Sequence, residues 1–330
     1  MFYIAFLISF FVNMLVIVIS HKYDFFIDKS DKPQGFHTDK TPRAGGIGVF
    51  SGILFMGFTK LGAALVFPSF LAFLSGIFED FYHSLSPKTR LIMQTVAAMS
   101  AAYFSNAVVT YFGLGIEIPY VFGFFISVLA IVTVMNAVNM IDGFNGLASG
   151  SVLMILGAFY YVAYMLQLGE LHTVISVTIG AVLGFFVLNF PKGKIFLGDG
   201  GAYLLGFLVA VFGIYLAGNY EKVSFWYVVA VMIYPLWEIV FSVVRKISWG
   251  QSPLKPDRYH FHMLIYRHLT KNNALTGLVI NIFYAPFILF ASMHFNQSIT
   301  NLAIALIFVL FYTVLYLYLL RQEKGLRSDS

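Results

Sequence analysis

The segment from residue 299 to residue 320, ITNLAIALIFVLFYTVLYLYLL, decides the class of fold. It contains no charged residue, and a helix of this length can cross the roughly 30 Å hydrocarbon core of a bilayer. The whole chain has a similar composition: of its 330 residues 59% are hydrophobic and 11% are charged, and the mean hydropathy is +0.83. Soluble domains carry about 25% charged residues, and the strands of membrane β-barrels alternate polar with apolar residues. The sequence therefore predicts an all-α polytopic membrane protein.

Apolar runs recur along the chain, and each of them predicts one membrane-spanning helix. The eleven runs lie at about 2–20, 44–59, 61–78, 91–106, 118–136, 147–167, 173–189, 201–218, 223–244, 275–293 and 299–320. The first run lacks a basic leader and a small-residue cleavage site, so we interpret it as a retained helix rather than a signal peptide. We find no internal repeat and no linker, and expect a single domain over residues 1–330.

The distribution of basic residues predicts the orientation of these helices. If the N-terminus lies outside, every Lys and Arg except Lys60 and Lys222 falls on the inner loops or the C-terminal tail. Basic residues are retained on the cytoplasmic side of membranes. We therefore expect a cytoplasmic C-terminus and a site built from cytoplasmic loops. The absence of cysteine excludes disulfides and thiolate metal sites.

The first inner loop combines basic residues with a glycine turn. Lys32, His37 and Lys40 precede the sequence TPRAGG, which contains Arg43 and leads into a helix. Glycines allow a ligand to approach the backbone closely, and a helix N-terminus favours an anion. The loop is therefore a candidate anion site. The alternative is a basic anchor followed by a turn that starts the helix.

The second inner loop begins with two adjacent acids. Glu79 and Asp80 end an apolar run and are followed by His83, Lys88 and Arg90. Neighbouring carboxylates repel each other unless a cation or a proton relieves them, which suits a metal site or a general base. The alternative is a polar helix end in water.

The third inner loop, NAVNMIDGFNGL at residues 136–147, is the most specific of the five. Asn136, Asn139 and Asp142 are three residues apart, so on a helix they would share roughly one face. Their oxygens suit Mg²⁺ or the hydrogen-bonding edge of a base. The loop lacks Lys and Arg, which a loop needed only for topology would contain. We interpret it as a binding segment.

The fourth inner loop, GKIFLGDGGA at residues 193–202, places a single acid among glycines just before a helix. Asp199 is positioned to bind a hard metal ion beside phosphates that are held by backbone amides. The alternative is that Asp199 caps the N-terminus of the following helix.

The fifth inner loop is basic and contains the sequence His260-Phe-His262. These two rings would diverge on a helix but share a face in an extended segment. With Arg258 they indicate a phosphate clamp, because Arg and His donate charge-assisted hydrogen bonds to phosphate oxygens. Just before this loop, Glu238 lies inside a predicted span, where a carboxylate is either functional or paired with a neighbour.

Three of these motifs together carry a family resemblance. Asn136-x-x-Asn-x-x-Asp-Gly-x-Asn-Gly-Leu, Phe196-Leu-Gly-Asp-Gly-Gly and Asp257-Arg-x-His-x-His resemble those of the polyprenyl-phosphate N-acetylhexosamine-1-phosphate transferases. This glycosyltransferase group 4 family includes enzymes that initiate O-antigen and teichoic acid, and the muramoyl-pentapeptide translocase. The resemblance covers about residues 31–262, and residues 275–330 hold the last two helices and a basic tail.

The resemblance implies a reaction at the cytoplasmic face of a bacterial inner (cytoplasmic) membrane. A polyprenyl phosphate would attack the β-phosphate of a UDP-N-acetylhexosamine and release UMP, with Mg²⁺ or Mn²⁺ as cofactor. The polyprenyl-diphospho-sugar product would initiate a cell-envelope glycan such as the O-antigen of lipopolysaccharide. No nucleic-acid partner is expected, and a homodimer is left open.

The resemblance also implies roles for individual residues. Asp199 and Asn139 would coordinate the metal ion. Asp80, with Glu79, would act as a base or orient the lipid phosphate. His260 and His262 would clamp the pyrophosphate and assist the departure of UMP. The residues that would bind the substrates are Lys32, Arg43, Asn136, Asp142, Asn145 and Arg258.

Three positions depart from the family pattern. Glu79 stands where the family has an Asp, His83 stands where a lysine is expected, and Met263 replaces the last residue of a histidine triple. The missing histidine argues against a muramoyl-pentapeptide donor and favours a UDP-GlcNAc-type donor. The departures also motivate the alternative of a catalytically inactive family scaffold. The other alternative is a secondary transporter, which would carry polar groups near the bilayer midplane.

Overall fold

The chain folds into a bundle of helices. The computed structural model describes residues 1–24, 26, 41–82, 85–252 and 257–328. Within these ranges there is no β-strand, and the helices are α1 (Phe2–Tyr23), α2 (Gly45–Ile53), α3 (Lys60–Tyr82), α4 (Pro87–Ser105), α5 (Tyr120–Ile141), α6 (Leu147–Met165), α7 (Gly169–Asn189), α8 (Gly198–Asn219), α9 (Phe225–Val231), α10 (Ile233–Ser248), α11 (Phe261–Ile265), α12 (Asn273–Met293) and α13 (Ser298–Ser328). A 3₁₀ turn (Leu54–Phe58) extends α2, and a π turn (Tyr266–Thr270) extends α11.

The prediction of a polytopic helical membrane protein is confirmed, since all eleven apolar runs form helices. In the described part of the chain, eight of the helices are long and apolar enough to cross a membrane, namely α1, α3, α5, α6, α7, α8, α12 and α13. The pair α9 and α10 provides a ninth crossing if it is one bent span. The helical segment Gly45–Phe58 is shorter, and α4 begins with two basic residues. Eleven crossings therefore remain a prediction.

The expectation of one continuous helix over residues 223–244 is wrong. The chain bends by 76° between α9 and α10. Pro235 lies just after the bend, and proline both lacks an N–H and clashes with the carbonyl four residues before it. That carbonyl belongs to Val231, and it accepts a hydrogen bond from the hydroxyl of Tyr284 on α12 instead. The bend therefore leaves no orphaned acceptor at this carbonyl.

Helix α8 lies at the centre of the bundle. Of its membrane-crossing window 89% is buried, against 22% for α1 and 28% for the Ser298–Glu323 part of α13. It packs against α2, α3, α5 and α6, and small residues let these helices approach closely. A Cβ on Gly206, for example, would lie 2.6 Å from the Cα of Met135 on α5. The first turn of α8, which contains Asp199, is thus fixed by its neighbours.

Candidate active site

Two of the loops, the first and the fourth, are joined by backbone hydrogen bonds next to the start of α8. Arg43 and Phe196 form an isolated parallel bridge, in which the N–H of Phe196 donates to the carbonyl of Pro42 at 2.8 Å. The N–H of Gly45 then donates to the carbonyl of Phe196 at 2.9 Å. These hydrogen bonds hold the TPRAGG turn against the glycine-rich fourth loop. The side chain of Arg43 can therefore reach Asp199.

Asp80 connects the end of α3 to the beginning of α8. Its Oδ1 accepts the N–H of Asp199 and its Oδ2 accepts the N–H of Gly200, both at 2.9 Å. Its side chain is only 1% exposed. Asp199 is therefore not the cap of α8: it lies in the first turn, and Asp80 from another helix satisfies two of the free N–H groups that every helix N-terminus presents.

Asp199 is held between two arginines. Its Oδ1 lies 2.7 Å from Nη2 of Arg43, and its Oδ2 lies 3.1 Å from Nη1 of Arg90 in the first turn of α4. The arginine side chains are 26% and 21% exposed, whereas that of Asp199 is 12% exposed. Two positive groups and one buried carboxylate thus meet at the start of α8, which is an arrangement suited to anionic ligands.

The third loop brings polar side chains to the same end of the bundle. Asn139 donates from Nδ2 to the hydroxyl of Tyr203 on α8 at 3.2 Å, and Asn136 donates to Gln94 on α4 at 2.7 Å. Asp142 follows the last residue of α5. Burial of its carboxyl group raises the pKa of Asp142 to about 7, and Asp199 adds to the rise while Arg43 opposes it.

Asn145 forms hydrogen bonds that hold the third loop in place. Its N–H donates to Oδ1 of Asn273 at 2.7 Å, and its Nδ2 donates to the carbonyl of Pro191 at 3.1 Å. The next residue, Gly146, adopts a positive φ of 72° and donates its N–H to Oδ1 of the buried Asn189 at 2.7 Å. The loop therefore has a defined shape before any ligand binds.

The two histidines of the fifth loop share a face. Their rings are parallel, with an interplanar angle of 4° and centroids 5.4 Å apart. His260 has extended backbone just before α11, whereas His262 lies in the first turn of that helix, so the two rings share a face at a helix N-terminus rather than along one extended segment. Nδ1 of His260 lies 3.0 Å from Oε1 of Glu238 on α10.

Asp257 is the second acid that lies near His260. Its Oδ2 pairs with Arg245 at 2.6 Å and with Lys246 at 3.3 Å, and its Oδ1 accepts the N–H of Tyr259 at 2.7 Å. Burial alone would raise the pKa of Asp257, but this hydrogen bond and the neighbouring positive groups hold it below its ordinary value.

His262 links the histidine face to the third loop. A Cβ on Gly143 would lie 3.1 Å from its Nε2, and its ring meets that of Phe144 edge-on at 5.6 Å. Gly143 directly follows Asp142, whose carboxyl group interacts with Arg43 and Asp199. The histidines and the Asp199 cluster therefore border the same loop. Burial lowers the pKa of His262 to about 4, so its ring is neutral at physiological pH.

Comparison with known proteins identifies the family of this chain. The family model described as Glycosyl transferase family 4 matches residues 63–217, which include Asp80, Asp142 and Asp199. The chain is also 30% identical, over 99% of its own length and 93% of the relative, to a probable undecaprenyl-phosphate N-acetylglucosaminyl 1-phosphate transferase of Bacillus subtilis. The chain belongs to glycosyl transferase family 4. The family resemblance that the motifs indicated is thereby confirmed.

Two further relatives show how the similarity is distributed along the chain. An undecaprenyl-phosphate alpha-N-acetylglucosaminyl 1-phosphate transferase of Thermotoga maritima is 31% identical, over 83% of this chain and 84% of the relative. A phospho-N-acetylmuramoyl-pentapeptide-transferase of Streptococcus agalactiae is also 31% identical, but over only 57% and 58%. The similarity to the two N-acetylglucosaminyl transferases thus extends over more of the chain.

The structure brings most of the predicted site residues of this family member to one end of the bundle. These residues form two groups that meet at the third loop. The first group is Arg43, Asp80, Asn139, Asp142 and Asp199, and the second is His260 and His262. Arg258 is exposed, and Oε2 of Glu79 is buried without a partner among the described residues. Lys32 lies outside the described residues.

Two residues were not assigned a role from the sequence, although the structure places both at the site. Arg90 contacts Asp199, but in the sequence it is one of several basic residues in an inner loop, and nothing distinguishes it from an anchor. Glu238 contacts His260, and its only signal was a carboxylate inside an apolar segment. Both contacts join residues that lie far apart in the chain.

The donor groups near Asp199 are chemically suited to Mg²⁺. In the described ranges no three His, Asp or Glu side chains form a ready metal cage. Mg²⁺, however, usually binds through one or two carboxylates together with substrate phosphates and water. Asp199 supplies a carboxylate, Asn139 supplies a free amide oxygen because it donates through Nδ2, and Asp142 lies nearby. The residues present therefore fit such an ion.

Proposed function

We propose that this protein transfers N-acetylhexosamine-1-phosphate from a UDP-sugar to undecaprenyl (polyprenyl) phosphate and releases UMP. The observation that carries the proposal is the position of Asp199, buried in the first turn of the central helix and flanked by Arg43 and Arg90. The relatives named for N-acetylglucosaminyl 1-phosphate transfer favour UDP-N-acetylglucosamine as the donor. The lipid-linked product would initiate a cell-envelope glycan such as O-antigen.

In this reaction an oxygen of the lipid phosphate forms a bond to the β-phosphorus of the donor. The bond between that phosphorus and the bridging oxygen breaks, and UMP leaves with the bridging oxygen. Phosphoryl transfer depends mainly on alignment and on neutralisation of the charge spread over the phosphate oxygens. Arg43 and Arg90 are suited to this role, since their planar guanidinium groups can donate two hydrogen bonds at once to phosphate oxygens.

Asp199 and Asn139 would hold Mg²⁺ or Mn²⁺, with Asp142 close to both. A bound divalent ion would polarise the phosphate oxygens and neutralise their developing charge. Each oxygen of Asp199 now contacts an arginine. If the two arginines turn from Asp199 towards the substrate phosphates, they bind the substrate. The same movement frees the oxygens of Asp199 for the metal ion.

We assign Asp80 a positioning role rather than that of a base. Both of its oxygens accept backbone N–H groups at the start of α8. A phosphate monoester has a second pKa of about 6, so the lipid phosphate is already largely deprotonated at neutral pH. A general base is therefore dispensable, and the fixed position of Asp199 is the more useful contribution of Asp80.

The polar site also supports the membrane arrangement predicted from the sequence. We propose eleven crossings, with the N-terminus outside and the site at the cytoplasmic face of a bacterial inner membrane. The charged side chains buried in the described part of the chain are Asp80, Asp199, Glu238, Arg245 and Lys246, and all except Glu238 lie in the first or last turn of their helices. A transporter would instead carry such groups near the midplane and towards both faces.

The direct test uses the full-length protein, purified in detergent and incubated with undecaprenyl phosphate, Mg²⁺ and a panel of UDP-N-acetylhexosamines. We expect release of UMP with one donor and its abolition by EDTA. The variant D199N should be slower by at least about 100-fold, as is usual when a preorganised charge is removed from a site. Absence of UMP release from folded protein across the panel would refute the proposal in favour of an inactive scaffold.

A further inference from the structure

Glu238 is a buried carboxylate whose two oxygens are both occupied. Oε1 lies 3.0 Å from Nδ1 of His260 and accepts the N–H of Phe261 at 3.2 Å. Oε2 accepts the hydroxyl of Tyr312 on α13 at 2.6 Å. The Glu238 side chain is 1% exposed. These contacts place a negative charge in an apolar span directly beside Nδ1 of His260.

We propose that Glu238 is a positioning residue that fixes the ring and the tautomer of His260 so that its Nε2 faces the donor phosphates. A carboxylate can only accept a hydrogen bond, so the proton of this contact belongs to Nδ1 of His260. Nε2 is then the ring atom that remains for the substrate, and it donates to a phosphate oxygen when the ring carries a second proton. The expected effect on catalysis rests on the proposed function. The effect of Glu238 on the orientation and tautomer of His260 does not.

The other side of the ring is also constrained. Nε2 of His260 lies 3.9 Å from Oδ1 of Asp257, which is too long for a direct hydrogen bond. Asp257 is itself anchored by Arg245 and Lys246. The parallel ring of His262 covers one face of His260. His260 is therefore held in one orientation while its Nε2 keeps its hydrogen-bonding capacity.

The last helix of the chain takes part in this support. Tyr312 donates to Glu238, and Tyr316, one turn later on α13, donates to the carbonyl of Tyr259 at 2.9 Å. Tyr316 also accepts a hydrogen bond from Arg245 at 2.8 Å. Helix α13 thus contacts both flanks of the histidine segment, although it lies outside the part of the chain that matches the family model.

The physical cost of this arrangement argues for a role beyond packing. A carboxylate buried in an apolar span is costly, and replacing a buried ionic pair with apolar residues of similar size is often neutral or stabilising. A structural anchor between α10 and the loop would therefore not require a charge. A carboxylate that orients the other nitrogen of a histidine is, in contrast, a recurrent arrangement at metal-binding histidines, where its loss typically lowers metal affinity or activity about 10–100-fold.

The test compares three variants of the full-length protein in detergent. E238L removes both acceptors with little change of volume, and E238Q keeps one oxygen that can accept from Nδ1. Y312F is the matched control, because it removes the hydrogen bond to Oε2 of Glu238 and leaves the two contacts of Oε1, with His260 and with the N–H of Phe261. The ring of His260 is observed by ¹⁵N NMR of histidine-labelled protein without substrate, and its signal is assigned by its loss in H260Q.

We expect the wild-type protein to carry the proton of His260 on Nδ1, and E238L to shift it towards Nε2. In the UMP-release assay, kcat of E238L should fall by about 100-fold with less than about a threefold change in KM for the donor, and E238Q should be intermediate. Y312F should stay within about threefold of wild type. A merely structural contact would not move the tautomer and would not be rescued in part by E238Q.

Three results would overturn the proposal. One is a wild-type His260 that is unprotonated at Nδ1, which can be read even if E238L does not fold. Another is an unchanged tautomer in E238L. The third is an equal loss of kcat in E238L and Y312F, since Glu238 would then only join α10 to α13. If the wild-type protein turns over no UDP-sugar, the proposed function fails, while the NMR comparison still decides whether Glu238 fixes the ring.

Discussion

Asp80 at the end of α3 accepts the backbone N–H of Asp199, at 2.9 Å, in the first turn of α8. The negative charge of Asp80 lies at the unfavourable C-terminal end of its own helix, but at the favourable N-terminal end of α8. The contact therefore stabilises the carboxylate and fixes the residue that we propose binds the metal ion. The geometry of the site depends on how α3 packs against α8.

The variant D80N should lose both stability and activity. Asparagine offers one oxygen to two N–H donors, and its own NH₂ would face one of them. A hydrogen bond to a charged group contributes about 1.5–3 kcal/mol, so the loss of one such bond should lower the melting temperature measurably. We expect UMP release to fall by at least about 100-fold, because Asp199 would no longer be held in position.

The neighbouring acid provides the control for D80N. Oε2 of Glu79 has no partner among the described residues, so E79Q breaks no described hydrogen bond of that oxygen and should change the melting temperature much less than D80N does. If D80N keeps the wild-type melting temperature and binds the donor but does not turn it over, Asp80 acts directly on the substrate, and the positioning role is wrong.

The variant G76A should disturb the same contact by steric means. A Cβ on Gly76 would lie 2.3 Å from the carbonyl carbon of Asp199, which is backbone and cannot rotate away. Helices α3 and α8 would have to separate, and overpacking of this kind typically costs about 1–3 kcal/mol. We expect a lower melting temperature together with loss of UMP release.

A second glycine serves as the matched control for G76A. A Cβ on Gly157 of α6 would meet no atom within 4 Å, so G157A should be neutral or slightly stabilising. Wild-type behaviour of G76A in both measurements would show that the close approach of α3 to α8 is not required.

Much of the fold was predictable because apolar runs and glycine-rich motifs are local signals. All eleven runs became helices, and the rings of His260 and His262 share a face, although His262 lies in α11 and not in the extended segment that their spacing suggested. The contact between Asp80 and Asp199 could not be predicted, since it joins positions 119 residues apart and depends on how α3 packs against α8. The bend before Pro235 had a local signal, but the apolar composition on both sides outweighed it in the sequence.

The two arginines at Asp199 should act on the same ligand. R43M and R90M each remove one charge that contacts the carboxylate of Asp199, and each should raise KM for the anionic donor about tenfold. Because both share one partner, the double variant should depart from additivity by at least about 0.5 kcal/mol. Donor titrations of the three variants measure this coupling.

K88M is the control, since Lys88 is exposed in the first turn of α4. Additive effects would place the arginines in separate sites.

The low pKa of His262 predicts a specific dependence of stability on pH. Its pKa is about 4 in the folded protein and about 6.5 in the unfolded chain, because burial disfavours the charged ring. Between these values the unfolded state binds more protons, so acidification destabilises the fold, by about 2 kcal/mol between pH 6.5 and pH 5. Above about pH 6.5 the effect vanishes.

Asp142 acts in the opposite sense in this range. Its pKa of about 7 exceeds the unfolded value of 3.8, so the folded state binds more protons and acidification stabilises it. A comparison of wild type with H262N cancels this contribution, because both proteins contain Asp142. We expect H262N to lose less thermal stability than wild type when the pH is lowered from about 8 to about 5. Equal losses in the two proteins would mean that His262 is protonated in the fold, and it could then serve as a cationic phosphate ligand.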